Sequence, residues 1–123
     1  MTGKRVLIVD DNAMNIDLVS YVLSADGVEV ESAADAHEAT ARIAAQHPDL
    51  ILMDIQLPGM DGLELTRRLK ADPATQHIVI LALTAYAMKG DEARMRAAGC
   101  DGYIAKPIDV ATFAGQVRAW LDQ

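Results

Sequence analysis

Cysteine is nearly missing from this chain: Cys100 stands alone among 123 residues, which excludes an internal disulfide. Its surroundings, Ala97-Ala98-Gly99-Cys100, hold small residues and no histidine, so it reads as a small buried hydrophobe rather than a reactive thiol. Basic charge is short as well. Lys and Arg number 11 against 18 Asp and Glu, a net charge of −7 that repels nucleic-acid phosphates unless a local basic stripe overrides it. The close basic cluster Arg67, Arg68 and Lys70 lies among Glu64 and Asp72, so a solvated helical face accounts for it and no direct nucleic-acid contact is expected. His37, His47 and His77 fall in separate segments without ligand-like spacing, and no zinc site is expected from them. No apolar run approaches the roughly 20 residues that span a bilayer, and Met1 to Arg5 carries no signal core. The expectation is a soluble, cytoplasmic chain with no membrane contact.

What the chain does have is a regular alternation. Residues 1–123 suit a single domain, and strand-like runs alternate with helix-like segments five times, without internal linker or repeat. Arg5 to Val9 reads as the first strand; the next segment places Met14, Leu18 and Val22, with Val19 and Leu23, on one helical face, and Gly27 ends it. Val28 to Ser32, with Glu29 and Glu31 at alternate positions, fits an edge strand. Asp35 and Glu38 open a helix through Ala44 in the manner of a capping box. Pro48 precedes the apolar run Leu50 to Met53, and Asp61 is placed to cap a helix carrying Leu65 and Leu69 that closes at Asp72-Pro73. Ile78 to Leu83 is an apolar strand, Ala87 to Ala98 a weakly patterned helix stopped by Gly99, and Gly102 to Ala105 a short strand. Asp109 then caps a helix whose Val110, Phe113, Ala114, Val117, Trp120 and Leu121 follow 3-4 spacing. Continuous apolar strands alternating with helices predict an α/β fold, a parallel sheet covered on both faces.

In such sheets ligands lie beyond the carboxyl ends of the strands, and the unusual residues of this chain collect there. Strand one ends in Asp10-Asp11, strand three in Asp54, strand four in Thr84 and strand five in Lys106. Gathered carboxylates repel by about 4 kcal/mol per pair at 4 Å and an effective dielectric near 20, so the group calls for a cation or a proton. Oxygen donors without histidine or cysteine favour magnesium. A lysine ammonium and a threonine hydroxyl facing the same crevice can hold a phosphoryl group that one carboxylate attacks in line, giving an aspartyl phosphate. Taken singly these residues have plainer uses: Asp10-Asp11-Asn12 or Thr84 as helix caps, Lys106 as a surface charge, Tyr103 as core. Their joint placement at one end of the sheet is what separate causes would not coordinate.

Asp10-Asp11, Met53-Asp54, Thr84-Ala85 and Lys106-Pro107 together resemble the receiver domain of bacterial two-component response regulators, a likeness that runs from Lys4 to Leu121. The stretches Met53 to Pro58 and Thr84 to Glu92 further resemble single-domain, DivK-like cell-division regulators and the receivers of hybrid kinases. The resemblance implies a CheY-like, flavodoxin-like sheet of order 2-1-3-4-5 with five helices. It implies Asp54 as phosphoacceptor, and magnesium held by Asp11 directly, by Asp10 through water, by Asp54 and by the backbone carbonyl of Gln56. Thr84 and Lys106 would contact the phosphoryl group, with a cis bond at Lys106-Pro107, Ala85 leaving access to Asp54, and Gln56 and Tyr86 tuning the life of the acyl phosphate. Tyr103 would turn inward when Thr84 is drawn toward the phosphate. The donor would be a sensor histidine kinase or a histidine phosphotransfer protein. Output would pass to a protein partner on the face of the fourth helix, fifth strand and fifth helix. On this reading the chain catalyses only its own modification and is not a turnover enzyme. A receiver cut from a hybrid kinase or larger regulator would carry the same residues. A magnesium-dependent phosphohydrolase that forms an aspartyl phosphate needs a second Asp where this chain has Gln56, and a flavin or nucleotide site needs a phosphate-cradling loop where it has Asp10-Asp11-Asn12.

Overall fold

The computed structural model describes residues 4–55, 57, 61–84, 89–106 and 108–122. Its elements are β1 (Arg5–Val9), α1 (Ala13–Ala25), β2 (Glu29–Ala33), α2 (Ala36–Ala45), β3 (Leu50–Asp54), α3 (Gly62–Ala71), β4 (Val79–Thr84), α4 (Lys89–Ala98), β5 (Gly102–Ala105) and α5 (Val110–Leu121). The strands form one parallel sheet in the order β2-β1-β3-β4-β5, the order that the resemblance implied.

Side-chain alternation along the strands divides the core into two layers. Leu7, Val9, Ile51, Met53, Ile80 and Ala82 face α2, α3 and α4, where Ile43, Leu63, Leu69 and Met95 meet them. Val6, Ile8, Leu50, Leu52, Leu81 and Leu83 face α1 and α5, against Val19, Leu23, Phe113 and Val117. With both faces covered, every residue of β3 is buried, Asp54 included, which is why the run carries no polar alternation. The edge strand β2 keeps Glu29 and Glu31 on one side, where both pair with Arg5 of β1.

The caps fall where the sequence places them. Asn12, Asp35, Asp61 and Asp109 each accept backbone N–H bonds at the start of a helix. Glu38 completes the α2 start by accepting from the N–H of Ala34 rather than from that of Asp35. Gly27 and Gly99 take positive φ, 81° and 105°, after α1 and α4, a conformation that costs glycine least.

At two positions the apolar helical spacing does not mark burial. Met14 is 81% exposed and Val110 53% exposed. Each lies in the first turn of its helix, beyond the carboxyl edge of the sheet, so the apolar spacing continues there without cover from the described residues. Of the segment read as helix from Ala87, residues 87 and 88 lie outside the described residues.

Candidate functional site

Asp10 sits one residue past β1, its N–H bonded to the carbonyl of Ala33 at 3.0 Å, and its side chain is wholly buried. The carboxylate is held on both oxygens: Oδ1 accepts from the Asn12 N–H at 2.9 Å, and Oδ2 accepts from the Asn15 side-chain amide at 3.2 Å. Helix capping falls instead to Asn12, whose side chain accepts from the N–H groups of Met14 and Asn15. The plain reading of Asp10-Asp11-Asn12 as a cap thus holds for Asn12 alone, and Asp11 is left exposed at the mouth of the site.

Asp54 ends β3 beside Leu83 of β4, and its side chain is 6% exposed. The start of α3 is pressed against its backbone: a Cβ on Gly62 would lie 2.1 Å from the Asp54 carbonyl oxygen, so only glycine permits this approach. Thr84, buried at the end of β4, accepts the Lys106 N–H on its carbonyl at 2.7 Å and so ties the β5 end to the β4 end. The Lys106 ammonium then lies 3.5 Å from Asp10 Oδ2 and 3.4 Å from Asp54 Oδ2.

Asp10, Asp11 and Asp54 each offer an oxygen within 4.8 Å of the others. Three carboxylates and one ammonium leave a formal charge of −2 in a largely buried place. A divalent ion balances that charge, and an all-oxygen donor set suits a hard one. The structure thus brings together Asp10, Asp11, Asp54 and Lys106 at one end of the sheet, with Thr84 at the same end of β4. Gln56, Ala85, Tyr86 and Pro107, and with Pro107 the proposed cis bond, lie outside the described residues. Tyr103 is 40% exposed on β5. It pairs in register with Ala82, as Ala105 does with Thr84, so Tyr103 and Thr84 occupy the same, α4-facing, side of the sheet.

Asn15 is the residue that sequence reasoning missed. Its place three residues after Asn12 and five after Asp10 returns it, one helical turn in, to the side of the site. A wider hollow of about 600 Å³ opens elsewhere, between α2 and α3. The Asp35 and Asp72 carboxylates on its rim are engaged by backbone N–H groups, so it offers no gathered charge comparable to the site above.

Cys100 lies in the α4–β5 connection and is buried, and burial raises its thiol pKa above the ordinary value near 9, against the lowering effect of a hydrogen bond with Thr66.

Residues 6–118 match the response regulator receiver domain family. The chain is 47% identical over 118 residues to the polar-differentiation response regulator DivK of Brucella ovis, covering 96% of each. Among solved structures it is similar to the chemotaxis response regulator CheY4 of Vibrio cholerae, with a TM-score of 0.91, 30% identity and coverage of 97% and 99% of the two chains. The signal receiver domain of a signal transduction histidine kinase from Syntrophus aciditrophicus superposes with a TM-score of 0.89 at 30% identity, over 98% of this chain and 91% of that one. With the sheet order, the acidic group and these likenesses in agreement, the chain belongs to the response regulator receiver domain family.

Proposed function

We propose that the chain works as a single-domain response regulator in a phosphorelay, taking a phosphoryl group on Asp54 from a phosphohistidine of a sensor histidine kinase or histidine phosphotransfer protein. The observation that carries this is the gathering of Asp10, Asp11, Asp54 and Lys106, with Thr84 beside them, from four strands onto one end of the sheet. Receiver domains are signalling proteins rather than turnover enzymes, and they bind Mg2+ at an acidic cluster. Here Asp10, Asp11 and Asp54 would hold the ion, with the backbone carbonyl of Gln56. Once bound, it supplies charge neutralisation for the carboxylates and for the incoming phosphoryl oxygens.

The chain's own groups do the rest. Asp54 is fixed at the end of a fully buried strand, so a carboxylate oxygen can be aimed at phosphorus with little motion to lose. As the Asp54 oxygen bonds to phosphorus, the bond from phosphorus to the donor imidazole nitrogen breaks and that nitrogen keeps the electron pair. Lys106, now shared by Asp10 and Asp54, turns to the phosphoryl oxygens as a point charge, and the Thr84 hydroxyl donates a hydrogen bond to one of them. Drawing Thr84 toward Asp54 clears space on the α4-facing side of the sheet, into which Tyr103 turns from its exposed position. The changed face of α4, β5 and α5 then meets a downstream protein partner.

The 47% identity to DivK of Brucella ovis supports a DivK-like role. The likeness to a histidine-kinase receiver keeps a second setting for the same chemistry, a receiver within a larger kinase. Intact mass after incubation with Mg2+ and acetyl phosphate, or with beryllofluoride monitored by NMR, tests the site. The wild type should gain one phosphoryl group or the fluoride adduct, Asp54→Asn neither, and chelator should abolish both. A wild type that takes up neither ligand would end the reading.

A further inference from the structure

At the end of the sheet opposite the carboxylates, the fold joins two histidines thirty positions apart in sequence. His47 follows Gln46, the C-cap of α2, and His77 lies just before β4. Both are exposed, and their rings stand 5.8 Å apart between centroids with planes tilted by 48°. They edge a hollow of about 240 Å³ shared with Lys4, Asp49, Val79 and Trp120. From this geometry we propose that His47 and His77 form a two-imidazole site for a borderline divalent transition metal of the Zn2+, Ni2+ or Cu2+ class.

The distances support it. Two imidazoles on one tetrahedral ion, with metal–nitrogen bonds of about 2.0–2.1 Å, place their ring centroids about 5 Å apart. The observed spacing exceeds that by less than about 1 Å, and both side chains face solvent, where they can rotate to bring their nitrogens together. Sequence spacing argued against a zinc site because it searched for ligands a few residues apart; the site is assembled by the α2–β3 and α3–β4 connections instead. The negative end of the α2 dipole lies beside His47 and favours a cation there. In the same hollow Asp49 offsets Lys4; its carboxylate is fixed by accepting the Arg5 backbone N–H at 2.9 Å. Water completes the coordination. Imidazole ligands select borderline metals whereas the all-oxygen cluster selects hard ones, so the two ends of the sheet sort different ions. The unfolded chain holds the two rings too far apart to chelate, so binding ties the two connections together and stabilises the native state.

The test is a Zn2+ titration in saturating Mg2+, which occupies the acidic cluster, read by the imidazole 1H–15N resonances and by calorimetry. The ring signals of His47 and His77 should move together up to one equivalent while those of His37 stay in place. His47→Gln and His77→Gln should each lower the affinity by at least about tenfold, and His37→Gln should leave it unchanged. Signals of one histidine moving alone, all three moving alike, no movement at all, or single variants binding as well as wild type would each overturn the site.

Discussion

At the scale of single residues, the arrangement around Asp10 shows how a buried charge is kept useful. A wholly buried carboxylate is costly unless its oxygens are satisfied, and here a backbone N–H and the Asn15 amide hold it at 2.9 and 3.2 Å, with Lys106 close by. Asn15→Ala removes one of the two hydrogen bonds that orient the carboxylate and leaves the Asn12 N–H and Lys106 in place. It is expected to weaken Mg2+ binding by about 10–100-fold, the effect usual for residues that orient a metal ligand, and to lower stability by about 1–3 kcal/mol for the buried oxygen left short of a partner. Calorimetric Mg2+ titration checks this, and unchanged affinity would remove Asn15 from the site. The caps were legible in the sequence because their partners lie two or three residues away, as with Asp61 and the N–H groups of Leu63 and Glu64. Asn15 was not, because its partner is one of three neighbouring acids and amides that only the β1–α1 turn sorts into roles. Cys100 carries a prediction of a different kind. Burial raises its pKa above about 9, so the folded chain keeps its proton when the unfolded one has begun to lose it. Stability from this source is complete below pH 9 and is lost as pH climbs through the raised value. Urea midpoints should therefore fall further between pH 8 and pH 10 for the wild type than for Cys100→Ala, and equal falls would refute the assignment.

At the scale of elements, two glycines fix how helices approach strands. Gly62 admits the Asp54 carbonyl where a methyl group would stand 2.1 Å from it. Gly62→Ala must push α3 away from β3 and is expected to cost about 1–3 kcal/mol, as overpacking commonly does. Because the displaced strand end carries Asp54, phosphorylation by acetyl phosphate should slow in the same variant. A variant with wild-type stability and rate would show that α3 can shift freely. Gly99, at φ 105°, lets the Lys70 stem pass at 2.9 Å from where a Cβ would be. Lys70 then donates to the carbonyls of Gln76 and Ile78 and pairs with Asp101, which in turn accepts from the Ile80 N–H. The strands and their order of appearance were legible because buried parallel strands are apolar throughout. The exposure of Met14 and Val110 was not, since periodicity records which side of a helix is apolar and not where the sheet beneath it ends. His47 and His77 were likewise separate in sequence and adjacent in space.

At the scale of the whole molecule, the site and the fold make opposite demands. Three carboxylates lie within 4.8 Å of one another and the Lys106 ammonium pairs with two of them, Asp10 and Asp54; each unrelieved pair at that distance costs about 3–4 kcal/mol at an effective dielectric near 20. A chain already at −7 gains nothing elsewhere from holding this charge together; on the proposed function, the repulsion is offset by the ion the cluster would bind. Asp11 separates the two demands. It is the exposed member, and it adds to the repulsion of the buried pair Asp10 and Asp54. In chelator, Asp11→Asn should therefore unfold later than the wild type, by about 1–2 kcal/mol once solvent screening is counted. Magnesium should reverse the order: it stabilises the wild type by mass action, about 2.7 kcal/mol at a hundred times its dissociation constant, and should do little for the variant. Thermal unfolding of both proteins with chelator and with Mg2+ gives the four midpoints required. If Asp11→Asn is no more stable than wild type in chelator, the cluster is not strained. If both proteins respond equally to Mg2+, Asp11 is not among its ligands.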